Sequence, residues 1–270
     1  MDQNIETLRA QGLGLAAISY DPVAILKNFS DRRSIRFPLL SDASSQLIRT
    51  LGILNPAGKE GTPFYGIPHP VTFVLDENGV IRHKYFEEDY RERPTLAGIL
   101  SKDLGVNPTA AAGAAKAKHV AIATSASTAV VSGGQRILLS VEIDIPRGYH
   151  LYAPGVEGYH AVDWQMNAAG LAKPHAVEFP KSRILYLQAI DEKVPVYEGK
   201  IRLLRDVTLA QSRTLAAAAG AGKQVTLEAS LKYQACSDRL CFPPETVPLR
   251  WTLKFDAHDV VRAPRELQKK

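Results

Sequence analysis

Apolar residues follow two different periods along the chain. Up to residue 104, continuous apolar runs alternate with helical patterns. "LGLAAISYD" (13–21) is a short apolar run ending in Asp-Pro, as expected of a strand buried on both faces. "DASSQLIRTLGIL" (42–54) opens with Asp42 as a candidate helix cap and sets Leu47, Ile48 and Leu51 on one face. "PVTFVLD", "ENG" and "VIRHKYFE" predict a strand, a tight turn and a second strand. "ERPTLAGILSKDLG" predicts a helix that stops at Gly105. The order of these elements is that of an α/β layer.

From residue 119 the period changes to two. "RILLSVEIDI" alternates, "GYHLY" continues the alternation, and "KIRLLRDVTL", "QVTLEASLKYQA" and "PLRWTLKF" repeat it between turns rich in Gly and Pro. No convincing helix interrupts them, which predicts an antiparallel sandwich. Between the two regimes, "GVNPTAAAGAAKAK" (105–118) is poor in large apolar residues and reads as a linker, with Pro108 and Gly113 opposing a helical continuation. "TLAAAAGAGKQ" (214–224) reads as a long hairpin loop. The expected organisation is an α/β domain over 1–104, a linker over 105–118, an all-β domain over 119–256, and a basic, solvated tail over 257–270.

Composition narrows the function classes. At 270 residues the chain is long enough for two domains. A net charge of +5 with both signs interspersed gives no basic stripe, which argues against a nucleic-acid partner. No apolar run reaches membrane-spanning length, and "MDQNIETLRAQG" lacks the regions of a signal peptide.

The candidate chemistry lies in "LKYQACSDRLCFPPETVPLRW" (231–251), which holds the only two cysteines, Cys236 and Cys241, with four residues between them. A zinc site needs four soft ligands, and no histidine completes a recognised spacing with this pair. No metal or other cofactor is therefore expected. A structural disulfide across so short a loop would stabilise the fold by roughly 2 kcal/mol. A redox-active pair is equally compatible with the residues, and their spacing alone leaves these two readings open.

Two resemblances extend this reading. "GLAAISYDPVAILKNFSDRRSIRFPLLSD" followed by "GIPHPVTFVLDENGVIRHKYFE" resembles the carboxy-terminal two thirds of a redoxin domain, the thioredoxin-fold family that includes AhpC/TSA-type peroxiredoxins. The resemblance implies a cis peptide bond before Pro70, since a cis X-Pro bond turns the chain sharply beside the family's catalytic sulfur. It also implies a thioredoxin-like domain incomplete at its N-terminus, with the upstream strands and the cysteine-bearing helix start lying before Met1. Residues 1–235 hold no cysteine, so this half has no peroxidatic thiolate.

"GYHLYAPG" (148–155), "VYEGKIRL" (196–203) and "YQACSDRLCFPPETVPL" (233–249) resemble the amino-terminal domain of the disulfide interchange protein DsbD family. That resemblance implies an immunoglobulin-like sandwich in a periplasmic setting. It makes Cys236 and Cys241 a catalytic pair that exchanges electrons with a thioredoxin-like or a membrane-embedded thiol–disulfide partner; the carry-over does not settle which sulfur is attacked first, though the family suggests the second, here Cys241. His150 and Tyr152, alternating onto one face of a strand, are expected to line the sulfurs, with Phe242 beside them. "DEKVPVYEG" (191–199) falls where the family has a shielding cap loop. Here it offers Val194, Val196 and Tyr197 in place of the family's phenylalanine, and the gap between the cysteines is one residue shorter than in the enterobacterial form. The alternative from another class is a non-catalytic binding module with a static disulfide and a degenerate redoxin docking domain.

Overall fold

The computed structural model describes residues 5–59, 61–62, 65–86, 93–103, 110–187, 191–237 and 239–267. The chain divides into two compact units, residues 1–96 with 259–270, and residues 97–258. Among the described residues, no helix is long and apolar enough to cross a membrane.

The first unit runs through α1 (Ile5–Ala10), β1 (Ala17–Ser19), α2 (Val23–Arg33), β2 (Leu39–Ser41), α3 (Gln46–Thr50), β3 (Val71–Leu75), β4 (Ile81–Phe86) and β5 (Arg93–Pro94), after which α4 (Leu96–Asp103) begins. β1 pairs parallel with β2, and β3 pairs antiparallel with β4. No ladder joins the two pairs among the described residues. The N-cap position of α3 is Ser45 rather than the expected Asp42, but the Asp42 carboxylate still serves the first turn: one oxygen accepts from the Gln46 N–H and the other from the Ile48 N–H, both at 2.9 Å. The hairpin turn is set by Asp76, whose carboxylate accepts the Asn78 and Val80 N–H groups.

The sequence pattern misses α2 and β2. On α2 only Leu26 is buried while Val23 and Phe29 are exposed, so no apolar stripe marks the helix. Three further expectations are corrected. The bond before Pro70 is trans. The Leu54–Pro68 bridge and the His69 N–H donated to the Ile53 carbonyl lead the chain into β3, and trans is the favoured isomer unless the surroundings demand otherwise. Residues 257–267 are largely exposed, as a solvated tail would be, but they are tied back rather than free: Asp259 forms an ion pair with Arg32 at 2.5 Å and a 3-10 turn follows at Arg265–Leu267. Part of the expected linker, Ala110–Ala115, is a strand, whereas the expected stop at Gly105 lies outside the described residues.

The second unit continues with β6 (Ala110–Ala115), β7 (Ala121–Ala126), β8 (Val130–Val131), β9 (Gln135–Ile145), β10 (Tyr149–Tyr152), β11 (Asp163–Asn167), β12 (Ala172–Glu178) and β13 (Arg183–Leu187). After these come β14 (Glu192–Tyr197), β15 (Gly199–Leu209), α5 (Ser212–Ala219), β16 (Gln224–Tyr233), β17 (Ala235–Ser237) and β18 (Glu245–Phe255). One sheet is ordered β12-β15-β9-β7-β6 and a second β11-β16-β18-β8. Strict alternation along β16 and β18 turns Leu227, Leu231, Leu249 and Trp251 inward, where they meet Leu139, Val141 and Leu203 of the first sheet in one core. Trp164 and Trp251 stack at its centre, 5.6 Å between rings.

α5 replaces the loop expected at 214–224. Alanine has the highest helix propensity, and the fully buried Leu215 anchors the segment to the core. Its start lies against Gly133, where a Cβ would stand 2.1 Å from the Ser212 nitrogen.

Candidate functional site

A third, smaller sheet, ordered β13-β14-β10-β17, carries the cysteines. Its period-two alternation divides its side chains between two environments. Leu151, Tyr197 and Ala235 belong to the large core, whereas Tyr152, Val194, Val196 and Cys236 form a separate apolar cluster. The antiparallel register sets His150 opposite Cys236 and Tyr152 opposite Val196. Val156, Tyr159, Leu185 and Leu187 pack over this cluster.

β17 turns back on itself immediately after Cys236. The Ser237 N–H donates to the Leu240 carbonyl at 2.8 Å, and the Phe242 N–H donates to the Ala235 carbonyl at 2.9 Å. The Ser237 hydroxyl accepts the Arg239 and Leu240 N–H groups inside the turn. These bonds make Cys236 and Cys241 an antiparallel bridge with Cα atoms 4.0 Å apart, joined by a disulfide. The two ends differ in access: Cys236 is 0% exposed, whereas Cys241 lies on the surface.

The Tyr152 hydroxyl lies 3.6 Å from each sulfur. Disulfide sulfurs carry no hydrogen, so the hydroxyl is the donor. Burial, followed by the charges of Tyr159 and Glu192, pushes the Tyr152 hydroxyl up to about 12. It therefore stays protonated at neutral pH and can donate to a sulfur that gains charge. His150 meets the Tyr152 ring edge-on at 5.5 Å, and Tyr159 stacks on it at 4.3 Å. The Tyr159 hydroxyl donates to Glu192 Oε2 at 2.9 Å, which raises its own ionisation above the ordinary tyrosine value.

Of the residues expected at the site, the fold brings together Cys236, Cys241, His150, Tyr152, Val194 and Val196. Tyr197 is not among them. It points into the large core and donates its hydroxyl to the Pro180 carbonyl, because it lies one position out of phase with Val196 on the same strand. The expected cap loop is itself the strand β14, paired on both edges. Phe242 follows Cys241 directly, yet its ring stacks on His119 at 3.8 Å and packs against the large core. Three residues were not singled out from the sequence: Tyr159, Glu192 and Gln234. Gln234 sits inside the Tyr-Gln-x-Cys motif, but Tyr159 lies in a loop, "VEGYHA", with no periodicity to mark it. Among the described residues, no three of His, Cys, Asp and Glu converge to hold a metal ion.

The geometry can be compared with known proteins. The AhpC/TSA family matches residues 1–84, and the family "Thiol:disulfide interchange protein DsbD, N-terminal" matches residues 119–250. Peroxiredoxin Bcp of Escherichia coli K12 is 29% identical over 82 residues, covering 30% of this chain and 52% of that protein. The chain thus spans about half the length of the curated relatives it matches. The N-terminal periplasmic domain of ScsB from Proteus mirabilis is similar with a TM-score of 0.39 and 12% identity, over 54% of this chain and 52% of that one. The reduced N-terminal domain of DsbD from Neisseria meningitidis has a TM-score of 0.29 and 17% identity, over 43% of this chain and 77% of that one. The chain is therefore similar to the AhpC/TSA family over residues 1–84 and to the DsbD N-terminal family over residues 119–250.

Proposed function

We propose that the second unit is a thiol–disulfide oxidoreductase built on an immunoglobulin-like sandwich. It acts outside the cytoplasm, where disulfides persist, and exchanges electrons with a thioredoxin-like or membrane-embedded partner through Cys236 and Cys241. The observation that carries this reading is the asymmetry of the pair: one sulfur belongs to a fully buried residue, the other to an exposed one, and a single protonated hydroxyl stands beside both. A static staple needs neither the asymmetry nor the donor.

The chemistry follows from that asymmetry. A partner thiolate attacks Cys241 Sγ, forming a new S–S bond while the Cys236–Cys241 bond breaks and its electron pair leaves on Cys236 Sγ. The Tyr152 O–H donates to this emerging thiolate in a site that excludes water, where an unpaired charge would be costly. The partner's second thiol then attacks its own sulfur in the mixed disulfide and releases Cys241 as a thiolate. Two electrons have passed to the pair, and two protons complete the dithiol. In the opposite direction, the Cys241 thiolate attacks a partner disulfide and Cys236 resolves the mixed disulfide. The AhpC/TSA-family segment, having no cysteine in this sequence, supplies no peroxidatic thiolate to this chemistry.

Equilibration of the pair against glutathione buffers, read by alkylation and intact mass, tests the proposal. A working couple comes to equilibrium within the range those buffers cover, whereas a pair that stays fully oxidised, with a potential below about −300 mV, is a structural staple.

A further inference from the structure

We infer that Tyr159 is a positioning residue for exchange: latched to Glu192, its ring holds the Tyr152 hydroxyl against the two sulfurs. This rests on the redox reading of the pair given above and adds to it a residue that touches neither cysteine in any hydrogen bond.

Tyr152 is the last residue of β10. Its hydroxyl stands 3.6 Å from each sulfur, at the long end of a contact to sulfur, so a small rotation of the ring would take it out of reach. Tyr159 opposes that rotation. Its ring stacks on Tyr152 with an interplanar angle of 23°, and its hydroxyl is tied to the Glu192 carboxylate at the start of β14. One aromatic contact and one charge-assisted hydrogen bond therefore brace the same side chain from a separate part of the chain.

The loop that carries Tyr159 is fixed at several points. The Ala153 N–H donates to the Pro195 carbonyl at 2.9 Å, and the Val162 N–H donates to the Tyr152 carbonyl at 2.8 Å. Between them, Gly155 and Gly158 adopt positive φ of 92° and 75°, a conformation that lets the loop fold back over the cluster. The His160 N–H donates to Gln234 Oε1 at 3.4 Å, and Gln234 Nε2 donates to the Phe242 carbonyl at 3.1 Å. Gln234 thus connects the Tyr159 loop to the segment that carries Cys241. The brace, the hydroxyl and the attacked sulfur are held in one connected frame.

When a thiolate attacks Cys241 Sγ, the electron pair of the broken bond leaves on Cys236 Sγ, and the Tyr152 O–H donates to it without losing its proton. The role of Tyr159 is to have that donor already in place as the charge forms. This distinguishes bracing from shielding by the sign of the effect: losing a shield speeds reduction, while losing a brace slows it.

The test measures the second-order rate at which dithiothreitol reduces the disulfide of the full chain at pH 7, by acid quenching, alkylation and intact mass. Y152F, Y159A, Y159F and the Y152F/Y159A double variant are compared with the wild type. Y152F is expected to slow reduction about tenfold or more, the scale of one hydrogen bond to a charged group. Y159A is expected to slow it several-fold, Y159F by less, and the double variant by no more than Y152F alone, because Tyr159 acts through the hydroxyl that Y152F removes. A Y159A rate equal to or faster than wild type overturns the inference, as does full additivity with Y152F. If Y159A fails to fold, Y159F in the same cycle carries the test with the same criteria. Relative rates stay measurable with excess dithiothreitol even if the glutathione titration finds a staple, so the two failures can be told apart.

Discussion

Among the described residues, β1 to β4 of the first unit form two separate two-stranded pairs, and Ile18, Leu40, Leu75, Ile81 and Phe86 remain exposed on them. The second unit builds strands of ten or eleven residues into sheets whose inward faces fill one continuous core. Two-stranded pairs are at best marginal in water, and exposed apolar edges invite pairing with other chains. A wide sheet satisfies its backbone internally and buries a full face. A hydroxyl held at 3.6 Å from two sulfurs needs a rigid frame, and the wide, buried sheets of the second unit provide one for the proposed chemistry.

The broadest way to break this comparison is to express the two parts separately. Residues 110–258 alone are expected to fold cooperatively, with core amides protected at the level of global unfolding, about 5–15 kcal/mol. Residues 1–96 alone are expected to show little slow exchange, or to self-associate. Strong, equal protection in a monomeric first unit would show that its sheets close in some other way.

Core substitutions sharpen the same contrast. Trp251→Ala empties the centre of the larger core and removes the hydrogen bond its indole donates to the Ser125 carbonyl. A loss of about 3–5 kcal/mol is expected in urea unfolding of the second unit. Phe73→Ala, at a half-buried position on β3, is expected to cost less than about half of that. Comparable losses would mean that the first unit has an equally tight core.

A finer prediction divides the two faces of the small sheet. Tyr197→Ala deletes a buried ring from the large core and should lower stability by about 3–5 kcal/mol. Tyr152→Phe removes only a hydroxyl and should change stability by about 1 kcal/mol, its main effect being slower disulfide reduction. Urea midpoints and reduction rates measured together test the separation. A stable Tyr197→Ala protein with altered thiol reactivity would return Tyr197 to the site.

Much of this arrangement was legible in the sequence, for reasons that also explain what was not. Alternation marks β16 and β18, each with one face in the core, and long apolar-rich runs mark β9 and β15, which are buried more on both faces. The same alternation puts His150 and Tyr152 on one face. It could equally have excluded Tyr197, which lies one residue out of phase with Val196, had 191–199 been read as a strand rather than a cap loop. α5 and β6 were missed because alanine-rich text carries little hydrophobic contrast, so helix, strand and linker look alike until Leu215 or a neighbouring strand is known. Tyr159 had no local signal at all. Its partners, Tyr152 and Glu192, are set by loop geometry and by a strand that begins 33 positions later in the sequence.

In the proposed exchange the exposed sulfur of Cys241 reacts with partners and the buried sulfur of Cys236 resolves. This assignment is tested most directly by trapping: Cys236→Ser and Cys241→Ser variants of the full chain are each mixed with a thioredoxin-fold protein that keeps only its attacking cysteine, activated as a mixed disulfide with thionitrobenzoate, and adducts are read by non-reducing mass analysis. A stable mixed disulfide through Cys241 is expected in the Cys236→Ser protein, and little or none through Cys236 in the Cys241→Ser protein. Preferential trapping through Cys236, or no adduct with either variant, would contradict it.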